Sequence, residues 1–231
     1  MRFQDAARDG RAVVYAAIQA EPLVARAAEL LADAGRGDRI LARAVMNGER
    51  TDPATWRRMF PTLFGPAADP DARQRSEAIL TVALAVADRG EQVRSQVRGA
   101  IVEALTAHLL ARRVPATAIR RERRVLFDGV PAEIHPYDVT VEAPAGPEAP
   151  AGPEAWDCKW GARGIGADVL YQLEDARAHA ADEDERLAVG LVVFDAERSC
   201  RVRLERQTAP HAGTRLVALE TLDELARPNA R

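Results

Sequence analysis

The stretch Leu187 to Phe194, Leu-Ala-Val-Gly-Leu-Val-Val-Phe, carries no polar side chain. A strand with one face in water alternates apolar and polar residues, so an unbroken run of strand length asks for a strand covered on both faces, with a parallel neighbour. Such a strand obliges the rest of the chain to supply helices for both faces of a sheet, which is an α/β architecture. The segment before it fits. From about Ala167 to Asp182, Val169, Leu170, Leu173 and Ala176 recur at helical spacing as one buried face. Beyond the run, Val202 to Leu204 and Leu216 to Leu219 read as short strands, and Thr221 to Arg227 as a helical turn or two.

Residues 1 to about 90 read differently, as helices with short connections: an all-helical N-terminal domain of unknown role. Val13, Val14, Ala17 and Ile18 predict the apolar face of a first helix, and Leu23, Ala27, Leu30 and Leu31 that of a second. Asp52-Pro53 and Asp69-Pro70 are helix starts, because Asp accepts from the unpaired N–H groups of a first turn and Pro lacks only an N–H that has no partner there. A second domain is expected over 91 to 231. It opens with one helix from Glu91 to Arg113 whose apolar stripe is Val93, Val97, Ile101, Leu105 and Leu109, with His108 at its edge. Glu103 lies well round from this stripe near the small residues Gly99 and Ala107, and the helix alone places it in solvent.

After Pro115 the period changes. Ile119 to Phe127 is a charged strand, Asp128-Gly129 a hairpin signal, and Val130 to Val141 the returning strand, interrupted before Asp138 by Pro136. Asp138 alternates there with Val139, so the carboxylate and the valine take opposite faces. Ala143 to Glu148, Ala-Pro-Ala-Gly-Pro-Glu, is repeated at once as Ala149 to Glu154, and a segment of this composition is expected to form a dispensable loop.

Among 32 basic residues only Lys159 is a lysine, and it stands in Trp156-Asp157-Cys158-Lys159-Trp160, the predicted third strand. A guanidinium is broad, planar and always charged, whereas an ammonium is a compact point charge, so a position that keeps Lys in such a chain is one where Arg does not serve. Strand alternation puts Asp157 and Lys159 on one face and Trp156, Cys158 and Trp160 on the other. The glycine-rich turn Gly161 to Gly166 lacks the spacing and the Gly-Lys-Ser/Thr ending of a phosphate loop.

Placed in order, these elements are a helix with Glu103, a strand, a strand with Asp138, a strand with Asp157 and Lys159, a helix with Gln172, and a buried strand. That order resembles the αβββαβ core of the PD-(D/E)XK nuclease superfamily, the restriction-endonuclease-like enzymes, over roughly residues 95 to 205. Those enzymes carry an Asp at the end of the second strand and an Asp or Glu two residues before a Lys on the third. Here these are Asp138, Asp157 and Lys159, and the approach Gly99-Ala100-Ile101-Val102-Glu103 looks like the helix glutamate of the family. Gln172 after Tyr171 looks like the glutamine of the RecB-type branch, although that branch's following tyrosine is Ala176 here.

The resemblance implies a mixed central sheet and a catalytic set of Glu103, Asp138, Asp157, Lys159 and Gln172. It implies Mg²⁺, with Mn²⁺ able to substitute, held by Asp138, Asp157, the Cys158 carbonyl and Glu103. Phosphodiester hydrolysis needs charge neutralised on the phosphoryl oxygens and a hydroxide-like nucleophile, and a bound Mg²⁺ serves both. The implied substrate is DNA in preference to RNA, in defence or DNA processing. A net charge of −3 gives no global case for nucleic acid, but Arg120, Arg121, Arg123 and Arg124 with Arg112, Arg113 and Arg163 form local basic patches. The alternative is an inactive nuclease-fold module that binds nucleic acid or a protein partner, and a homodimer or partner contact through the helical domain stays open. Two cysteines, Cys158 and Cys200, exclude a disulfide framework. With no signal-like apolar run and no stretch of ~20 apolar residues, the expected location is the cytoplasm, without a membrane partner.

Overall fold

The protein is described by a computed structural model covering residues 1–6, 10–48, 52–131, 135–142 and 152–227. It divides into two compact units, Met1–Arg8 with Leu109–Arg231, and Asp9–His108. The dividing line falls in the last turn of a helix, not near residue 90, so the residues around Glu103 group with the helices that precede them.

The second of these units holds α1 (Gly10–Gln19), α2 (Pro22–Ala32), α3 (Arg36–Asn47), α4 (Pro53–Met59), α5 (Pro61–Phe64), α6 (Pro70–Ala87) and α7 (Glu91–Leu110), the last ending just beyond it. The two Asp-Pro starts form as expected. Asp52 accepts from the N–H groups of Ala54 and Thr55, and Asp69 accepts from that of Ala72. Along α7, Val97, Ile101, Leu105 and Leu109 are fully buried, while Val93 at the start of the stripe is exposed. On α1 the expected apolar face is corrected: Val13, Val14 and Ala17 are exposed and Ile18 is buried. The roll of α1 is set by Tyr15 and Gln19, which share one face and donate to the carboxylate of Glu103.

The other unit is built on a mixed sheet. Its strands are β1 (Arg2–Asp5), β2 (Ile119–Phe127), β3 (Val130–Pro131), β4 (Tyr137–Val141), β5 (Glu154–Lys159), β6 (Ala188–Val193) and β7 (Arg215–Ala218). The order across the sheet is β1-β2-β4-β5-β6-β7, with β3 paired to β2. The pairings from β1 through β5 are antiparallel, and β5-β6 and β6-β7 are parallel. The helices α8 (Ala167–Asp182) and α9 (Glu197–Glu205) make the two crossovers that parallel pairs require.

Four expectations are corrected here. The alternation Arg201-Val202-Arg203-Leu204 is helix α9, not strand, because a parallel β6-β7 pair leaves only a crossover between them. The edge strand β1 was hidden in a four-residue segment with one apolar side chain; it forms through its ladder with β2 and through Phe3 packed on the core. The returning strand is interrupted before Asp138 as expected, giving β3 and β4, but strand three ends at Lys159, so Trp160 lies past it and stacks on Phe194. Most of the repeated hexapeptide lies outside the described residues, but its last residue, Glu154, is the fully buried start of β5 and no part of a loop.

Leu170, Leu173, Leu191, Val193 and Cys200 form the core between the sheet and its two crossover helices. β6 is buried from Val189 to Val193, as its apolar run requires. On the opposite face Trp156 lies over Gly190, where an added Cβ would stand 2.3 Å from the indole and 2.9 Å from the Arg215 carbonyl. Gly190→Ala is therefore expected to cost about 1–3 kcal/mol by overpacking, read as a drop in the urea midpoint. Gly90→Ala, where none of the described residues comes within 4 Å, should leave the midpoint nearly unchanged.

Candidate functional site

The ladder between β4 and β5 pairs Val141 with Glu154, Thr140 with Ala155 and Val139 with Trp156, and there it stops. The next positions in register are Asp138 and Asp157. Instead of a backbone carbonyl, the Asp138 side chain receives the Cys158 N–H, at 2.6 Å from Oδ2. A buried N–H must find an acceptor, so the end of the ladder fixes one oxygen of Asp138 in place.

Asp157 and Lys159 share a face of β5, as alternation predicts, and the Lys159 ammonium lies 2.5 Å from Asp157 Oδ1. Burial opposes the Lys159 charge, but the charges of Asp157 and Asp138 and the bond to Asp157 outweigh it. Its pKa is held above the ordinary lysine value, so it is a cation throughout the neutral range. The stem of Lys159 rests on the loop that follows: a Cβ on Gly164 would stand 3.1 Å from Lys159 Cδ.

A further carboxylate, Glu122, is one that local sequence does not single out. It lies in β2 between Arg121, which pairs with Val139, and Arg123, which pairs with Tyr137, and so stands across from Asp138. Its φ is 52°, in the left-handed region that non-glycine residues rarely adopt, and the β2-β4 ladder skips it without a change of register. Carboxylate oxygens of Glu122 and Asp138 lie within 4.8 Å of one another. In the sequence Glu122 is one acid inside an arginine run, and only the through-space pairing of β2 with β4 marks it out.

Gln172 does not aim at the carboxylates. Its side-chain amide donates to the His135 carbonyl at 3.0 Å and accepts from the His135 N–H at 3.3 Å, clasping the segment that leads into β4. Tyr137 adds a bond from its hydroxyl to the Gln172 carbonyl. Glu103 belongs to the helical unit; it is buried, not solvated, and accepts from Tyr15 and from Gln19 at 2.7 Å. Gly99 gives Tyr15 its room, since a Cβ there would stand 3.1 Å from the Tyr15 hydroxyl.

The seven arginines assigned to nucleic acid divide. Arg113 is bound to Glu154 at 2.5 Å and to the Leu225 carbonyl, with side chains 4% and 0% exposed across the ion pair. Glu154 also accepts from the Trp156 indole at 2.9 Å. Arg123 is bound to Glu142 and Asp5. These two hold the sheet together, whereas Arg112, Arg120 and Arg163 are exposed and Arg121 and Arg124 half-buried.

Compared with family models, curated proteins and solved structures, the chain has no significant match.

Arg113→Ala would leave the Glu154 carboxylate buried without its cation. A loss of about 3–5 kcal/mol is expected, measured by chemical denaturation. A variant as stable as the parent would show that the pair contributes nothing net.

Proposed function

We propose that the unit containing the sheet is a metal-dependent nuclease with a restriction-endonuclease-like core, acting on the phosphodiester backbone of DNA. The observation that carries this reading is the register that sets Asp138 opposite Asp157, one position past the last β4-β5 pair, with Lys159 bonded to Asp157. Within that unit, the order of three antiparallel strands, crossover helix and parallel strand supports it.

The donor set suits the implied ion. Mg²⁺ takes hard oxygen ligands and keeps several waters, so one or two carboxylates suffice. Asp138 and Asp157 would hold it, with Glu122, whose oxygens lie within 4.8 Å of those of Asp138, as a third carboxylate. When bound, the ion would supply Lewis acidity and an activated water. Asp138 enters that role already oriented by the Cys158 N–H. Lys159, cationic through the neutral range, is unsuited to take a proton and suited to offset negative charge on the scissile phosphate. Its partner is Asp157. Gln172 acts at one remove, by fixing the backbone before Asp138.

Lys159→Arg keeps the charge but exchanges a point donor for a planar fork. Mg²⁺-dependent cleavage of plasmid and linear DNA should fall by about 10²-fold or more, with binding in Ca²⁺ near that of the parent. Asp138→Asn and Asp157→Asn should abolish cleavage, and raised Mn²⁺ should restore part of it. Glu122→Gln should weaken Mn²⁺ affinity in calorimetry. Full cleavage in Lys159→Arg, or in the Asp138 and Asp157 variants, would overturn the assignment. Retained DNA binding with no cleavage by the parent in any divalent ion would favour an inactive binding module.

A further inference from the structure

We propose that the exposed arginines of α9, together with Arg163, form the track that holds the DNA backbone beside the Asp138-Asp157-Lys159 centre. This rests on the nuclease reading for the identity of the substrate. The loop after Lys159 runs through a short 3-10 turn, Ala162–Gly164, and packs against the lysine stem through Gly164. Arg203 of α9 donates to the carbonyl of Ile165 in the same loop, at 3.0 Å. A continuous line of packing thus leads from Lys159 to Gly164, to Ile165, and on to α9.

The face that α9 turns to water is basic. It presents Arg198 and Arg201, with Arg206 just past its end, and Arg163 is exposed on the turn beside it. Glu205 is the opposing charge on that arc, and the Glu197 carboxylate is occupied by Arg201 at 2.5 Å. α9 is anchored from beneath by buried Cys200, so its arginines stand on a rigid element. In a chain whose net charge is −3, a basic surface adjoining the candidate centre attracts a polyanion locally, not globally. Guanidinium groups spaced along a helix bind phosphates without reading bases. The sequence hid this surface, because Val202 to Leu204 reads as a short strand and not as part of a helix.

The test is binding without chemistry: anisotropy of labelled duplex and single-stranded DNA in EDTA, across a salt series. For Arg163→Ala/Arg198→Ala/Arg206→Ala, affinity should fall at least about tenfold at low salt, and the slope of log K against log salt should flatten by about 0.9 for each phosphate no longer neutralised. Lysine at the same three positions should restore most of the affinity. Arg120→Ala/Arg121→Ala, on β2, should change binding less than the α9 triple. The side chains removed are exposed, and circular dichroism with an unchanged denaturation midpoint checks the fold. A triple variant that binds like the parent, or a parent that binds neither DNA, overturns the track. Loss of cleavage in Asp138→Asn with unaltered binding bears on the centre alone. A parent that binds through α9 but never cleaves leaves the track standing and removes the nuclease reading.

Discussion

The bond from the Cys158 N–H to the Asp138 carboxylate joins the sheet to the candidate site. β5 is paired on both sides, antiparallel to β4 and parallel to β6, and its amide at Cys158 lies two residues past the last β4-β5 pair. A buried amide without an acceptor would cost about 1–3 kcal/mol. Supplying the acceptor from a side chain ends the ladder and orients a carboxylate in one move. Asp157 and Lys159 then follow without further design, since strand alternation turns both to one face and parallel pairing with β6 holds them there.

Charge is used in two ways in this unit. Buried ion pairs such as Arg113-Glu154 are enclosed, supported by the Leu225 carbonyl and the Trp156 indole, and serve to fix the start of β5. Exposed arginines such as Arg120, Arg163 and Arg198 lie outside that interior. The difference lies in burial and not in sequence context, which is why a run such as Arg120 to Arg124 contains both kinds. Arg123 ties β2 to Glu142, while Arg120 stands in solvent.

The helical unit contains a similar buried carboxylate. Glu103 takes two side-chain donors from α1, and this pairing, not the apolar pair Val13 and Val14, sets which side of α1 faces inward. A buried charge needs hydrogen bonds more strictly than a small apolar side chain needs cover, so the polar contact determines the roll of the helix.

Sequence by itself determined the elements whose signal is local. The unbroken Leu187 to Phe194 run gave a strand buried on both faces, four-residue spacing gave α7, the Asp-Pro pairs gave two capped helix starts, and alternation gave the shared face of Asp157 and Lys159. Pairing across space decided the rest. β1 is a strand only because β2 offers it an edge, and α9 is a helix because β6 and β7 run parallel. Glu122 faces Asp138 through the register of β2 with β4, and Gln172 is taken by a backbone 37 residues away. Local spacing encodes the period of a segment, but the partner that satisfies a polar group is chosen only when distant segments meet, and in the buried interior that choice fixes what each charged side chain can do.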